Sequence, residues 1–383
     1  MTVTIPPPRS NGSSSPFTPG FGTQPPTLVG RQDEVNGFAR ALDAGPGARG
    51  RATLVTGQRG VGKTVLLNTF RDVASSRQWV TVQEQASPGF ATRLAKSRLP
   101  EVLEHFDAAD VSKAKMIGLT LPMGLGGVTW RDETQNVLVP DIRTNLMELL
   151  RMFDERGTGL LITLDEVHRS NIDELRVVTD AVAHAFNESA PIAFVAAGLP
   201  SSINSLVNDR VSTYLRRAER IELGNFTREA TLHAIRTPIE DAGKHITEEA
   251  LSLAAAHTED YPYLVQLMGD LMWEAAGDSP RITADHVRAA DGEARAVMAR
   301  QIHEPTLEAL SGRDREYLRA MAVDDGPSRT AEIARRMSVT DKFASVYRAR
   351  LIAAGVIEPV GHGVVDFAVP YMRDFLLGRL RRG

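Results

Sequence analysis

Apolar positions follow three regimes along the chain. From Leu28 to Leu223, short continuous apolar runs alternate with longer segments whose apolar residues recur every three or four positions. The runs "RATLVTG", "WVTVQEQ", "GLLITLDE", "PIAFVAAG" and "RAERIEL" predict strands. The third and fourth have too little alternation for a half-exposed strand, which predicts burial on both faces. The intervening segments predict helices. In the first, Val35, Phe38, Ala39 and Leu42 share a face before the stop at Gly45; in the second, Val65, Leu66, Phe70 and Val73 do so. Strands alternating with helices imply an α/β core with a parallel sheet and right-handed crossovers.

After Asn225 the strand-like runs end. "TREATLHAIRTPIEDAG", "TEEALSLAAAHTED", "YPYLVQLMGDLMWEAAG" and "TADHVRAADGEARAVMARQIH" predict a helical bundle. From about Glu304, helix-like "RDREYLRAMAVDDG", "TAEIARRMS" and "DKFASVYRARLIAAG" precede two strand-like runs around Gly361 and Gly363, the pattern of a winged helix. The expected division is therefore a disordered leader (1–27), an α/β core (28–224), a helical lid with a connecting helix (225–303) and a winged-helix domain (304–383). "KAKMIGLTLPMGLGGVTWRDE", from Lys113 to Glu133, predicts a hairpin inserted before the third strand.

Composition narrows the classes. The 383 residues are 42% hydrophobic and 24% charged with a net charge of −4, so no global basic field draws the chain to nucleic acid. There are no cysteines, which excludes disulfides and thiolate sites and suits a reducing cytoplasm. No apolar run is of membrane-spanning length, and the Pro- and Ser-rich leader lacks the apolar core of a secretory signal.

"VTGQRGVGKTVLLNTF" carries the chemistry. Gly57, Gly60 and Gly62 can take positive φ cheaply, so successive amides can turn inward, and the helix expected from Lys63 adds its free N–H groups and dipole. The spacing Gly57-x-x-x-x-Gly62-Lys63-Thr64 is that of a phosphate-binding loop. In that pattern Gly57, Gln58, Arg59, Gly60, Val61, Gly62, Lys63, Thr64 and Val65 wrap the phosphates, Lys63 reaches the β- and γ-phosphates, and Thr64 meets Mg²⁺. The ligand so predicted is ATP with Mg²⁺. The strand "LLITLDE" ends in two carboxylates: Asp165 is the candidate for the Mg²⁺ shell and Glu166 for orienting or deprotonating the attacking water. Capping of the following helix is the other use for that pair.

The "VGR" box before the loop, the Asp-Glu pair and the helical bundle after the sheet together resemble the AAA+ ATPases. The resemblance is to the origin-recognition-like branch and its bacterial relatives, which end in a winged helix. It implies that Val29, Gly30 and Arg31 lie against the adenine, with a surface role the alternative for Arg31. It also implies a nucleotide-dependent homo-oligomer, in which Arg210, Arg216 or Arg217 would act on a neighbour's nucleotide or simply be surface arginines. Two departures point to slow hydrolysis. The fourth strand ends in Ala197 and Gly198 rather than a polar γ-phosphate sensor, and "TEDYPYLVQLMG" has no arginine.

Residues 326–383 hold ten Lys and Arg against five acids. On the third helix of this module Phe343, Tyr347 and Leu351 are expected to face the core. Lys342, Ser345, Arg348 and Arg350 are then candidates for duplex DNA contact, with the "VGHG" wing on phosphates. A protein-docking or autoinhibitory module, in a signalling or scaffold ATPase, is the other reading.

Overall fold

The buried runs do become strands. The computed structural model describes residues 14–20, 24–25, 28–108, 142–167, 172–208 and 214–380; the hairpin expected at 113–133 and Arg210 lie outside them. Strands β1 (Ala52–Gly57), β2 (Val80–Gln85), β3 (Leu160–Val167), β4 (Ile192–Gly198) and β5 (Glu219–Leu223) pair in parallel in the order β2-β3-β4-β1-β5. β4 is buried at every position and β3 at all but Glu166, as their lack of alternation predicts.

The chain divides into two units. One comprises Asp33–Gly57 and Leu66–Leu223; the other comprises Met1–Gln32, Gln58–Val65 and Gly224–Gly383. The first unit holds the sheet. Helix α1 (Gln32–Asp43) buries Val35, Phe38, Ala41 and Leu42, while α2 (Lys63–Ser76) buries Leu66, Leu67, Phe70 and Ala74, a face one position away from that expected. Phe38 stacks on Phe70 with centroids 4.3 Å apart. The last carbonyls of α1 are satisfied by the buried Arg51, which donates to Ala41 O (3.1 Å) and Leu42 O (2.8 Å) and stacks on Trp79. Helices α3 (Phe90–Arg93), α4 (Leu99–Ala108), α5 (Ile142–Glu155), α6 (Ile172–Asn187) and α7 (Pro200–Asn208) follow in the same unit. Phe90, Leu99, Leu146, Phe153, Val182 and Phe194 are among its buried core residues.

In the second unit, α8 (Arg228–Asp241), α9 (Glu248–His257), α10 (Pro262–Ala276) and α11 (Ala284–Met298) form the expected helices, α8 and α9 capped by Thr227 and Thr247. Strands do not stop at Asn225: β6 (His245–Ile246) and β7 (Arg281–Ile282) make a short parallel pair between helices. Part of the leader is also ordered. Phe17 is 4% exposed and its ring lies where a side chain at Gly269 would stand, while Thr18 N–H donates to Gln266 Oε1 at 3.1 Å.

The C-terminal residues form α12 (Glu304–Glu308), α13 (Gly312–Ala322), β8 (Ser328–Arg329), α14 (Thr330–Arg336), α15 (Asp341–Ala353), β9 (Ile357–Gly361), β10 (Val364–Phe367) and α16 (Met372–Leu380). β8, β10 and β9 are antiparallel, in that order.

A buried histidine makes this unit acid-sensitive. His303 is fully buried; its Nε2 bonds the Pro370 carbonyl at 2.8 Å and its Nδ1 has no partner among the described residues. Burial holds its pKa down at about 4, with the Pro370 bond opposing. The unfolded chain, titrating at about 6.5, binds the proton first. The contribution of His303 to stability is therefore complete above pH ~6.5 and falls by roughly 3 kcal/mol as pH drops to ~4. The urea midpoint should decline through that window, and His303→Gln should remove this part of the decline. Identical pH profiles for the two proteins would contradict the assignment.

Candidate functional site

Register places the carboxyl ends of four strands along one edge. Thr56 pairs with Gly198, Val167 with Gly198, and Gln85 with Asp165. The glycine loop follows β1 directly in the chain. Gly57 is the last extended residue of β1, so it does not supply the positive φ expected of it. Gly60 (φ 75°) and Gly62 (φ 95°) do, and α2 begins at Lys63. Val61 between them is 2% exposed, so the loop is pinned by one buried side chain between two flexible residues. Lys63 Nζ donates to Gln58 O at 2.5 Å, which sets the ammonium at the loop. Thr64 and Val65 form the first turn of α2, in which no acidic side chain offsets the helix dipole. Left-handed glycines, a helix N-terminus, an ammonium and a hydroxyl are a donor set suited to a polyphosphate. The hydroxyl suits a Mg²⁺ ion carried with it, since such an ion needs few protein ligands.

The acidic pair is split by the backbone. Asp165 is buried at 6% exposure; Glu166 is exposed and takes a left-handed φ of 54°. The β3–β4 register breaks between Leu164 and Val167, which turns Glu166 out of the strand's alternation. Asp165 Oδ1 accepts the Glu166 N–H at 2.8 Å, and Gln85 Nε2 donates to Glu166 Oε2 at 3.3 Å. A non-glycine residue in this conformation costs about 1–2 kcal/mol and persists only where its surroundings hold it. Sequence reading missed Gln85; a polar residue closing a strand that neighbours the acidic one was its only sign. Gly198 explains the missing polar group at the end of β4. A Cβ there would meet Val167 O at 2.8 Å, so no side chain fits.

Val29, Gly30 and Arg31 join residues that open the second unit's helices. Val29 is buried, Gly30 is left-handed at φ 67° with Phe226 and Ala230 beside it, and Arg31 donates to Gly224 O at 2.5 Å with its guanidinium 5.4 Å from the Phe226 ring. Arg31 is therefore tied into its unit by these contacts. Arg216 and Arg217 are exposed on a 3₁₀ turn (Tyr214–Arg217), where Arg216 Nε donates to Val207 O at 3.2 Å.

On α15 the cap at Thr340 forms as expected, but the core face is Ala344, Tyr347 and Leu351. Phe343 is 47% exposed and Val346 is 53% exposed, so Phe343 is corrected from core to surface. Lys342, Ser345 and Ala349 do face outward. Several basic side chains are engaged inside the module: Arg335 with Glu332 (2.8 Å), Arg336 with Asp324, Arg350 with the buried Asp314 (2.8 Å) and Arg373 with Asp366 (2.6 Å). Arg348 is half-buried.

Residues 27–195 match the AAA ATPase domain family model, and residues 300–376 match a domain of unknown function, DUF8462. No curated protein matches the sequence. Among solved structures, a Walker-type ATPase of Pyrococcus abyssi is similar with a TM-score of 0.64 and 14% identity, over 93% of this chain and 97% of that one. The ADP form of the Aeropyrum pernix ORC2 protein is similar with a TM-score of 0.54 and 14% identity, over 94% and 97%. At that identity the likeness is one of fold. Residues 27–195 are thus similar to an AAA ATPase domain, the sheet is that of the P-loop AAA+ fold, and ATP with Mg²⁺ is the ligand pair this similarity implies.

Proposed function

We propose that the protein is a slow ATP-hydrolysing switch whose C-terminal residues form a winged helix that docks on a protein partner. The observation that carries it is the pair of left-handed glycines, Gly60 and Gly62, immediately before the helix N-terminus at Lys63. In this reading the amides from Gly60 to Thr64 bind the phosphates, Lys63 neutralises the γ end, and Thr64 and Asp165 are the protein's metal ligands. Mg²⁺, when bound, offsets phosphate charge. Glu166, held by Gln85, orients the water and accepts its proton. Val29, Gly30 and Arg31 border the base. Turnover is slow because Gly198 leaves no room for a γ-phosphate sensor. Arg216 or Arg217, exposed on their turn, completes the site of a neighbouring copy in an ATP-dependent homo-oligomer.

The helix–strand–helix–helix–strand–strand order from α13 to β10 supports the winged helix. Partner docking is favoured over DNA by the exposed Phe343 and Val346 on the outward face of α15 and by the ion pairs that engage Arg335, Arg336, Arg350 and Arg373. Duplex DNA is the second reading, because Lys342 and Arg329 remain exposed and the region's charge stays positive. Titrating a labelled duplex at low and physiological salt distinguishes the two. Partner docking predicts weak retention that the double variant Lys342→Glu, Arg348→Glu leaves unchanged. A steep salt-dependent affinity, lost on that reversal, would replace it with DNA binding.

A further inference from the structure

We infer that Tyr261 is a positioning residue for the phosphate loop: its hydroxyl fixes the Arg59–Gly60 peptide so that the loop amides face the phosphates. This rests on the ATP reading above. Tyr261 is fully buried immediately before α10, and its hydroxyl donates to Arg59 O at 2.5 Å. Two residues on, the Tyr263 N–H donates to Gly60 O at 3.1 Å. In a trans peptide the C=O and the following N–H point in opposite directions. Drawing two successive carbonyls toward the start of α10 therefore aims the N–H groups of Gly60 and Val61 the other way, which is what an anion nest needs.

The loop has reason to need an outside support. Glycines at 60 and 62 make its peptides cheap to rotate, and a donor set is effective only when held in place. Gly60 serves both demands, since a side chain there would collide with the Tyr261 hydroxyl and strain its φ of 75°. Burial, reinforced by the neighbouring Tyr263 phenol, raises the Tyr261 pKa, so the hydroxyl keeps its proton and stays a donor.

Tyr261 is itself placed by its surroundings. Glu259 (φ 49°) and Asp260 (φ 58°) are consecutive left-handed non-glycine residues, a conformation that persists only where neighbours enforce it. Asp260 O accepts the Phe226 N–H at 2.8 Å, and its carboxylate pairs with Arg228 at 3.1 Å. Phe226 is also the ring beneath Arg31. The segment bordering the proposed base site and the support of the phosphate loop thus meet on the same two residues, Phe226 and Asp260.

The test compares the full-length wild type with Tyr261→Phe, Lys63→Ala and, as a buried-tyrosine control from the C-terminal core, Tyr317→Phe. Mg–ATP affinity and the thermal midpoint without nucleotide are measured for each. Tyr261→Phe should weaken Mg–ATP binding by about 3- to 10-fold with a nearly unchanged midpoint, while Tyr317→Phe keeps wild-type affinity. A purely structural tyrosine would lower the midpoint and leave the affinity alone; that result overturns the proposal. Wild-type affinity in Lys63→Ala would instead overturn the ATP site itself. Should Tyr261→Phe fail to fold, the wild-type protein decides. Inorganic tripolyphosphate should shift the Gly60 and Val61 amide resonances; unmoved signals at a saturating concentration, in a protein whose ATP affinity still falls on Lys63→Ala, would overturn the proposal.

Discussion

Lys63→Ala is expected to weaken Mg–ATP binding by about 10- to 100-fold, the loss that follows from removing a charge-assisted hydrogen bond. The fold should survive. Lys63 is half-buried at the start of α2, and the Gln58 carbonyl it touches lies in a half-buried part of the loop that water can reach. Calorimetric titration with a slowly hydrolysed ATP analogue reads the loss directly. Wild-type affinity in the variant would place the nucleotide elsewhere.

Glu166→Gln separates binding from turnover. The amide has the shape of the carboxylate and can still accept from Gln85 Nε2, so its left-handed backbone and its neighbours need not change. What it loses is basicity. A general base contributes about 100- to 10,000-fold to a rate, so kcat should fall by that order while ATP affinity stays within a few-fold of wild type. Single-turnover measurements on pre-bound ATP isolate the chemical step from product release. If the variant turns over at the wild-type rate, some other group positions the water.

How far the sequence discloses these features depends on whether each leaves a local pattern. β3 and β4 were legible because strands covered on both faces must be continuously apolar. The phosphate loop was legible because glycines at fixed spacing ahead of a helix are a local requirement of backbone geometry. Tyr261 was not. Its partner, Arg59, lies 202 residues away, and a hydroxyl bonding a carbonyl imposes no spacing. Gln85 was hidden for the same reason, since strand register brings it beside Asp165.

The C-terminal helix shows a different failure. Phe343 outweighs Ala344 in any hydrophobic pattern, yet the face that packs is centred on Ala344, Tyr347 and Leu351, where a small residue allows close approach. Net charge also leaves out which basic side chains are engaged. Of the ten basic residues, four pair with Glu332, Asp324, Asp314 and Asp366, which no count of charges discloses. Phe17 sits in a segment whose Pro- and Ser-rich composition predicts disorder; one aromatic seated at Gly269 overrides the average.

A crystal structure with Mg²⁺ and a non-hydrolysable ATP analogue addresses the account's foundation. It should show β- and γ-phosphate oxygens within hydrogen-bonding distance of the amides of Gly60 to Thr64, the Lys63 ammonium moved from the Gln58 carbonyl to the phosphates, and the metal on the Thr64 hydroxyl. An analogue bound elsewhere, with Lys63 still on Gln58, would contradict it.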